Sequence, residues 1–324
     1  MEINDKMVSW FKLVRWKNLL FLAAIMLLLQ ECVIVPLMYG FGFAPSDLFG
    51  GATLVLLITS VILIAAGGYV VNDYFDIKID RINRPERVIV GESIDKAAAM
   101  RLYWSLSAIG IACGLGAALF CRSWYLATLF LLVPGLLWFY SASYKRIFLV
   151  GNLIIALTAA MVPMLIALAN IGILERRYAM ILPYIPLEHD LIGYLSGFAA
   201  FAFLTTWIRE IIKDLQDQQG DRELECHTMP IQIGETGTKV IVTLLILLTT
   251  ALMAYCCLVL MPVETSRQSL STRYLVFGGV IPMACELWLL WAAKIPSDYR
   301  SAQLLMKFIM FIGTCYAVVI FRTL

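Results

Sequence analysis

The sequence predicts an all-α integral membrane protein of nine transmembrane helices, and three observations carry that prediction. Of its 324 residues, 61% are apolar and only 15% charged, whereas a soluble globule runs near half apolar and a quarter charged. Apolar windows close to twenty residues recur from one end to the other with no linker-like stretch between them. The basic residues gather in alternate connections, as they do at cytoplasmic helix ends. A soluble enzyme does not fit this composition. A net charge of +2, from 25 Lys+Arg against 23 Asp+Glu, gives no polybasic signal and implies no nucleic-acid partner.

A hydrocarbon core of about 30 Å is crossed by about 20 apolar helical residues. The windows that meet this are 18–39, 50–71, 99–120, 124–140, 150–173, 191–212, 239–262, 273–293 and 303–322, read as one polytopic domain over 1–324. The first follows a basic arm whose opening, MEINDKMVSW, fits no cleavable signal, so this span is expected to stay in the mature protein. The second and sixth run into the polar stretches 72–98 and 213–238, and the fourth ends in Tyr140-Ser-Ala-Ser-Tyr-Lys145-Arg146. The connection 174–190, with two prolines and mixed charge, reads as an ordinary outer loop.

An odd number of spans puts the termini on opposite sides. With the N-terminus cytoplasmic, 19 Lys+Arg lie inside and 6 outside, so the expected orientation is N-in, C-out, with an active site opening to the cytoplasm. Eight cysteines without a CxxC pair argue against a disulfide framework or a zinc site. Cys226 and His227 adjoin, but the only other histidine is His189.

The two polar stretches share a repeat. Asp73-x-x-Asp76-x-x-x-Asp80-Arg81 recurs as Asp214-x-x-Asp217-x-x-x-Asp221-Arg222, each position offset by 141. Four spans separate the copies, so both face the same side. At about 100° per residue, Asp73, Asp76 and Asp80 fall within about 60° of one another on a helix, and Asn72 widens the arc to about 100°. An unpaired acidic stripe at a membrane margin is unfavourable, so a cation is expected there. Hard carboxylate and amide oxygens suit Mg²⁺, which takes one or two carboxylates and completes its shell with water and phosphate oxygens. Candidate metal ligands are Asn72, Asp73, Asp76, Asp80, Asp214, Asp217 and Asp221.

Arg81, Arg84 and Arg87 follow the first stripe, and Arg209, Lys213 and Arg222 surround the second. With Lys145, these cations make a diphosphate cradle, because guanidinium forks match phosphate oxygens. Taken singly, each is equally well read as a topology signal. A diphosphate head at the membrane surface with a body among apolar helices describes a prenyl diphosphate. Its allylic C–O bond breaks as charge builds on the leaving group, which metal and cations stabilise. The competing class, a cation-coupled transporter, places its acids near the midplane, whereas these lie at one face.

These residues resemble the UbiA superfamily of intramembrane prenyltransferases. Asn72, Asp76 and Asp80 match its first acidic motif, Asp217 and Asp221 its second, Tyr140 and Lys145 its Y-x-x-x-x-K element, and Asn83-Arg84-Pro85 its NRP. The resemblance implies nine helices around a central cavity, with a cytoplasmic cap from two Asp-rich loops. It implies that Asp76, Asp217, Lys145 and Tyr140 carry catalysis, with Arg84, Arg87, Arg209 and Lys213 on the diphosphate and Mg²⁺ as cofactor. The acceptor implied is a lipid or an aromatic compound, and the motif wording is nearest to the geranylgeranylglyceryl phosphate geranylgeranyltransferase group. Two further acids, Glu31 and Glu286, stand inside apolar windows, and Asn152 opens the fifth; each reads either as functional or as a helix-packing contact.

Overall fold

The computed structural model describes residues 2–44, 50–260 and 265–323. Among these residues the chain is helical nearly throughout, and the only extended pairing is an isolated bridge between Val90 and Ile94. An arm helix α1 (Glu2–Leu13) leads into α2 (Trp16–Gly40) and α3 (Gly51–Phe75), and the short α4 (Ile77–Asn83) follows. Then come α5 (Lys96–Cys121), α6 (Trp124–Ala142), α7 (Val150–Tyr178) and α8 (Leu187–Glu223). The last three are α9 (Met229–Val259), α10 (Leu270–Ala292) and α11 (Pro296–Arg322). Apart from α1 and α4, all are long and apolar enough to cross a membrane, which makes nine spans among the described residues. Each expected window overlaps one of them. Residues 261 and 262, at the end of the seventh window, lie outside the described residues.

The helices differ from the windows mainly in length. α8 runs to Glu223 and α9 begins at Met229, so the stretch expected as a connection over 213–238 is helical on both sides of a short turn at 224–228. Hydropathy marks where lipid ends, not where a helix ends, and Lys, Leu, Gln and Glu in this segment are good helix formers. The stretch 174–190, expected as an outer loop, shortens in the same way, because α7 continues to Tyr178 and α8 starts at Leu187. Helix starts are chemically marked: Asp95 accepts hydrogen bonds from the Ala97 and Ala98 amides (3.0 and 3.3 Å) at the head of α5. Such a cap contributes about 1 kcal/mol.

The chain packs as two compact units. The first takes Met1–Leu27, Gly42–Lys145 and Leu165–Asp190. In it α3 and α5 approach closely at small residues. Ser60 Oγ donates to the Gly110 carbonyl at 2.7 Å, and a Cβ on Gly114 would lie 2.6 Å from Ser60 Oγ and 2.4 Å from the Phe130 ring of α6. Lipid supplies no hydrophobic drive between helices, so such close backbone contact is what holds them. At one end of this unit Leu13, Val70, Val71, Ile77, Val90 and Ala99 form a buried apolar cluster, with Phe75 and Trp138 packed against it.

The second unit takes Leu28–Phe41, Arg146–Met164 and Leu191–Leu324. Ile208, Ile211, Ile212 and Leu215 of α8 bury one helical face against Val242 and Ile246 of α9, Met283 and Leu290 of α10 and Met306 and Ile309 of α11. Asp214, Asp217 and Asp221 lie about 110–170° around α8 from the centre of that face.

Candidate active site

The first acidic motif straddles a helix break. Asn72 and Asp73 end α3, Asp76 sits in the turn at φ −86° and ψ 0°, and Asp80 lies on α4. The backbone ladder survives the break, since the Asp76 amide donates to the Asn72 carbonyl (2.9 Å) and the Asp80 amide to the Asp76 carbonyl (2.8 Å). The break anchors Ile77 in the apolar cluster and leaves Asp76 buried.

Asp76 is a charge-assisted hub. Asn72 Nδ2 donates to its Oδ2 at 2.7 Å, and Lys145 Nζ binds its Oδ1. Lys145 reaches it from the 3₁₀ turn Tyr144–Arg146 that follows α6, on which Tyr140 is buried. Asp73 faces a different cation: Arg15 Nη2 donates to its Oδ1 at 2.8 Å, and the same guanidinium lies 4.7 Å from the centre of the Tyr69 ring. Burial opposes the charge on Arg15, but Asp73, Tyr69 and Asp76 outweigh it and hold its pKa above the ordinary value. Arg84 closes α4, and Arg87, in the turn Pro85–Arg87, is exposed beside Glu86 at 3.5 Å. Arg81 pairs with Glu92 at 2.8 Å.

The second motif stands on unbroken helix. Asn152 Nδ2 donates to Asp214 Oδ2 at 2.8 Å, and Thr228 Oγ1, in the turn before α9, donates to the buried Asp221 at 2.8 Å. Asp217 and Lys213 are half-buried on the same helix. Arg209, proposed from sequence for the diphosphate, is tied to its neighbour Glu210. The structure thus gathers Asn72, Asp76 and Lys145, and separately Asn152 and Asp214, while Arg87 and Arg209 stand with carboxylates of their own. Among the described residues, no three His, Cys, Asp or Glu side chains form a group fit to hold a metal unaided. Sequence reasoning missed Arg15 and Thr228. Arg15 carried only the signal of a basic residue ahead of the first span, and Thr228 carried none.

A model of the UbiA prenyltransferase family matches residues 33–313. The chain belongs to that family. It is an integral, multi-pass membrane protein of all-α architecture. This UbiA chain is 33% identical over 193 residues to the digeranylgeranylglyceryl phosphate synthase of Sulfolobus acidocaldarius, a match covering 60% of this chain and 61% of the relative. The chain thus spans about three fifths of the length of the curated relatives it matches. Among solved structures it is similar to one concerned with digeranylgeranylglyceryl phosphate synthase in membranes, at TM-score 0.62 and 20% identity, covering 99% of this chain and all of that one. It is also similar to a UbiA homologue from Archaeoglobus fulgidus bound to DMAPP and Mg²⁺, at TM-score 0.57 and 16% identity, covering 98% of this chain and 100% of that one.

Proposed function

We propose that the chain is one Mg²⁺-dependent prenyltransferase domain. It moves a prenyl group from a prenyl diphosphate to a lipid acceptor resembling geranylgeranylglyceryl phosphate, with release of diphosphate. The observation that carries this reading is the convergence of Asn72 and Lys145 on Asp76. The names of the relatives and the DMAPP and Mg²⁺ bound by the Archaeoglobus fulgidus homologue support it.

The donor set fits the metal. Mg²⁺ takes only one or two carboxylates and draws its remaining ligands from water and phosphate. Asn72, Asp73, Asp76 and Asp80 are the residues that would hold Mg²⁺ at the first motif, and Asp214, Asp217 and Asp221 those that would hold Mg²⁺ at the second. When bound, Mg²⁺ supplies positive charge to the diphosphate oxygens as the C–O bond breaks.

The remaining chemistry belongs to side chains. Lys145 and Arg84 donate to the diphosphate, and their contacts strengthen as the electron pair of the C1–O bond moves onto the leaving group. The acceptor hydroxyl oxygen forms the new bond to C1, and its proton passes to the released diphosphate. Tyr140, buried at the end of α6, acts in catalysis with Lys145. The apolar helices exclude water from the cation-like C1, which otherwise would be hydrolysed. The basic asymmetry supports a cytoplasmic N-terminus and a site opening on that side.

The test is diphosphate release from geranylgeranyl diphosphate, with and without geranylgeranylglyceryl phosphate, in Asp76→Asn and Asp217→Asn proteins. Each variant is expected to lose turnover at limiting Mg²⁺. Near-normal rates in both would overturn the reading, and turnover only with an aromatic acceptor would redraw the acceptor. For topology, an impermeant thiol reagent should label a cysteine engineered at 180 from outside and one at 90 only from inside.

A further inference from the structure

Arg15 is held unusually firmly for a residue at the head of a transmembrane span. It breaks the helix between α1 and α2 at φ +52°, a left-handed conformation that residues with a side chain seldom adopt. Two neighbours fix the arm around it: Leu13 is fully buried in the apolar cluster, and Asn18 Nδ2 donates to Tyr69 Oη at 3.4 Å. The guanidinium therefore arrives at Asp73 Oδ1 already positioned, with the Tyr69 ring behind it. One helical turn on, Lys145 sits on Asp76. Both α3-end carboxylates of the first motif are thus engaged by cations that the chain itself supplies.

We propose that Arg15 is a tethered competitor for the divalent ion at Asp73, which makes metal binding there conditional on diphosphate. The inference rests on the reading of Asp73 and Asp76 as metal-binding residues. An ion approaching alone must displace a cation already in place. An ion arriving with diphosphate brings phosphate oxygens that give the displaced guanidinium a new bidentate partner, so the same displacement becomes favourable. By linkage, diphosphate must then tighten the metal as much as the metal tightens diphosphate.

The experiment titrates Mn²⁺ into the full-length protein in nanodiscs, following the free-ion electron paramagnetic resonance signal. It is run without and with inorganic diphosphate, at buffered free Mn²⁺. Arg15→Gln is expected to tighten Mn²⁺ alone by roughly two- to fivefold, the range set by a half-exposed ion pair. The further tightening produced by diphosphate should shrink by about the same factor. Arg15→Lys keeps the charge and should bind Mn²⁺ alone as wild type does.

A merely structural Arg15 moves the readout the other way, because a loosened arm weakens Mn²⁺ or leaves it unchanged; either result in Arg15→Gln overturns the proposal. Asp76→Asn separates the two levels of inference. If it leaves Mn²⁺ affinity unaltered, the metal reading itself fails. If it weakens Mn²⁺ while Arg15→Gln fails to tighten it, only the competition fails.

Discussion

Lys145 places its ammonium on the carboxylate of Asp76 across 69 residues of sequence, with both side chains largely shielded at 13% and 12% exposure. That contact joins the turn after α6 to the break after α3, and it sets the charge of the first motif.

Lys145→Ala should lower kcat/KM for the prenyl diphosphate by about ten- to a hundredfold. A charge-assisted contact in a partly desolvated site is worth roughly 1.5–3 kcal/mol. If the contact strengthens as the C–O bond breaks, the loss appears in kcat more than in KM. Steady-state kinetics decide, and unchanged parameters would make Lys145 a topology signal only.

Asn152→Leu should destabilise the protein by roughly 1–3 kcal/mol, because the Asp214 carboxylate loses the amide that donates to it at 2.8 Å. A thermal unfolding midpoint at or above wild type would show that Asp214 does not depend on Asn152.

Glu286 makes the opposite prediction. It is fully buried in α10, and among the described residues neither carboxyl oxygen has a hydrogen-bond partner. A buried polar group without a partner costs stability that an apolar side chain of similar length does not. Glu286→Met should therefore raise the unfolding midpoint. A fall would reveal a polar partner, and a loss of turnover at raised stability would assign the carboxyl to substrate.

Gly114→Ala should cost roughly 1–3 kcal/mol, since the new Cβ lands 2.4 Å from Phe130 Cγ and 2.6 Å from Ser60 Oγ. Phe130→Leu in the same chain should recover part of that loss. If the double variant is no better than the single, the clash lies elsewhere.

Thr228→Val removes the 2.8 Å donor to the buried Asp221, and Thr228→Ser keeps it. Turnover should fall in the first and persist in the second. Equal activity in both would detach this turn from the chemistry.

The sequence by itself determined the nine spans, because hydrocarbon thickness and the cost of unpaired backbone groups allow few solutions for a chain this apolar. It also determined the two acidic stripes, because helical periodicity aligns Asp73, Asp76 and Asp80 as it aligns Asp214, Asp217 and Asp221. Only tertiary structure decided how those stripes differ. The first is interrupted at Asp76, where Ile77 turns into an apolar cluster built by Leu13, Val70 and Ala99. The second rides an unbroken α8, which buries another face between Leu204 and Leu215. The partners of the acids were likewise invisible, since Arg15, Lys145 and Asn152 stand 58, 69 and 62 residues from the carboxylates they meet. Spacing within one helix is fixed by local geometry, but a contact between distant segments exists only once packing has brought their backbones together.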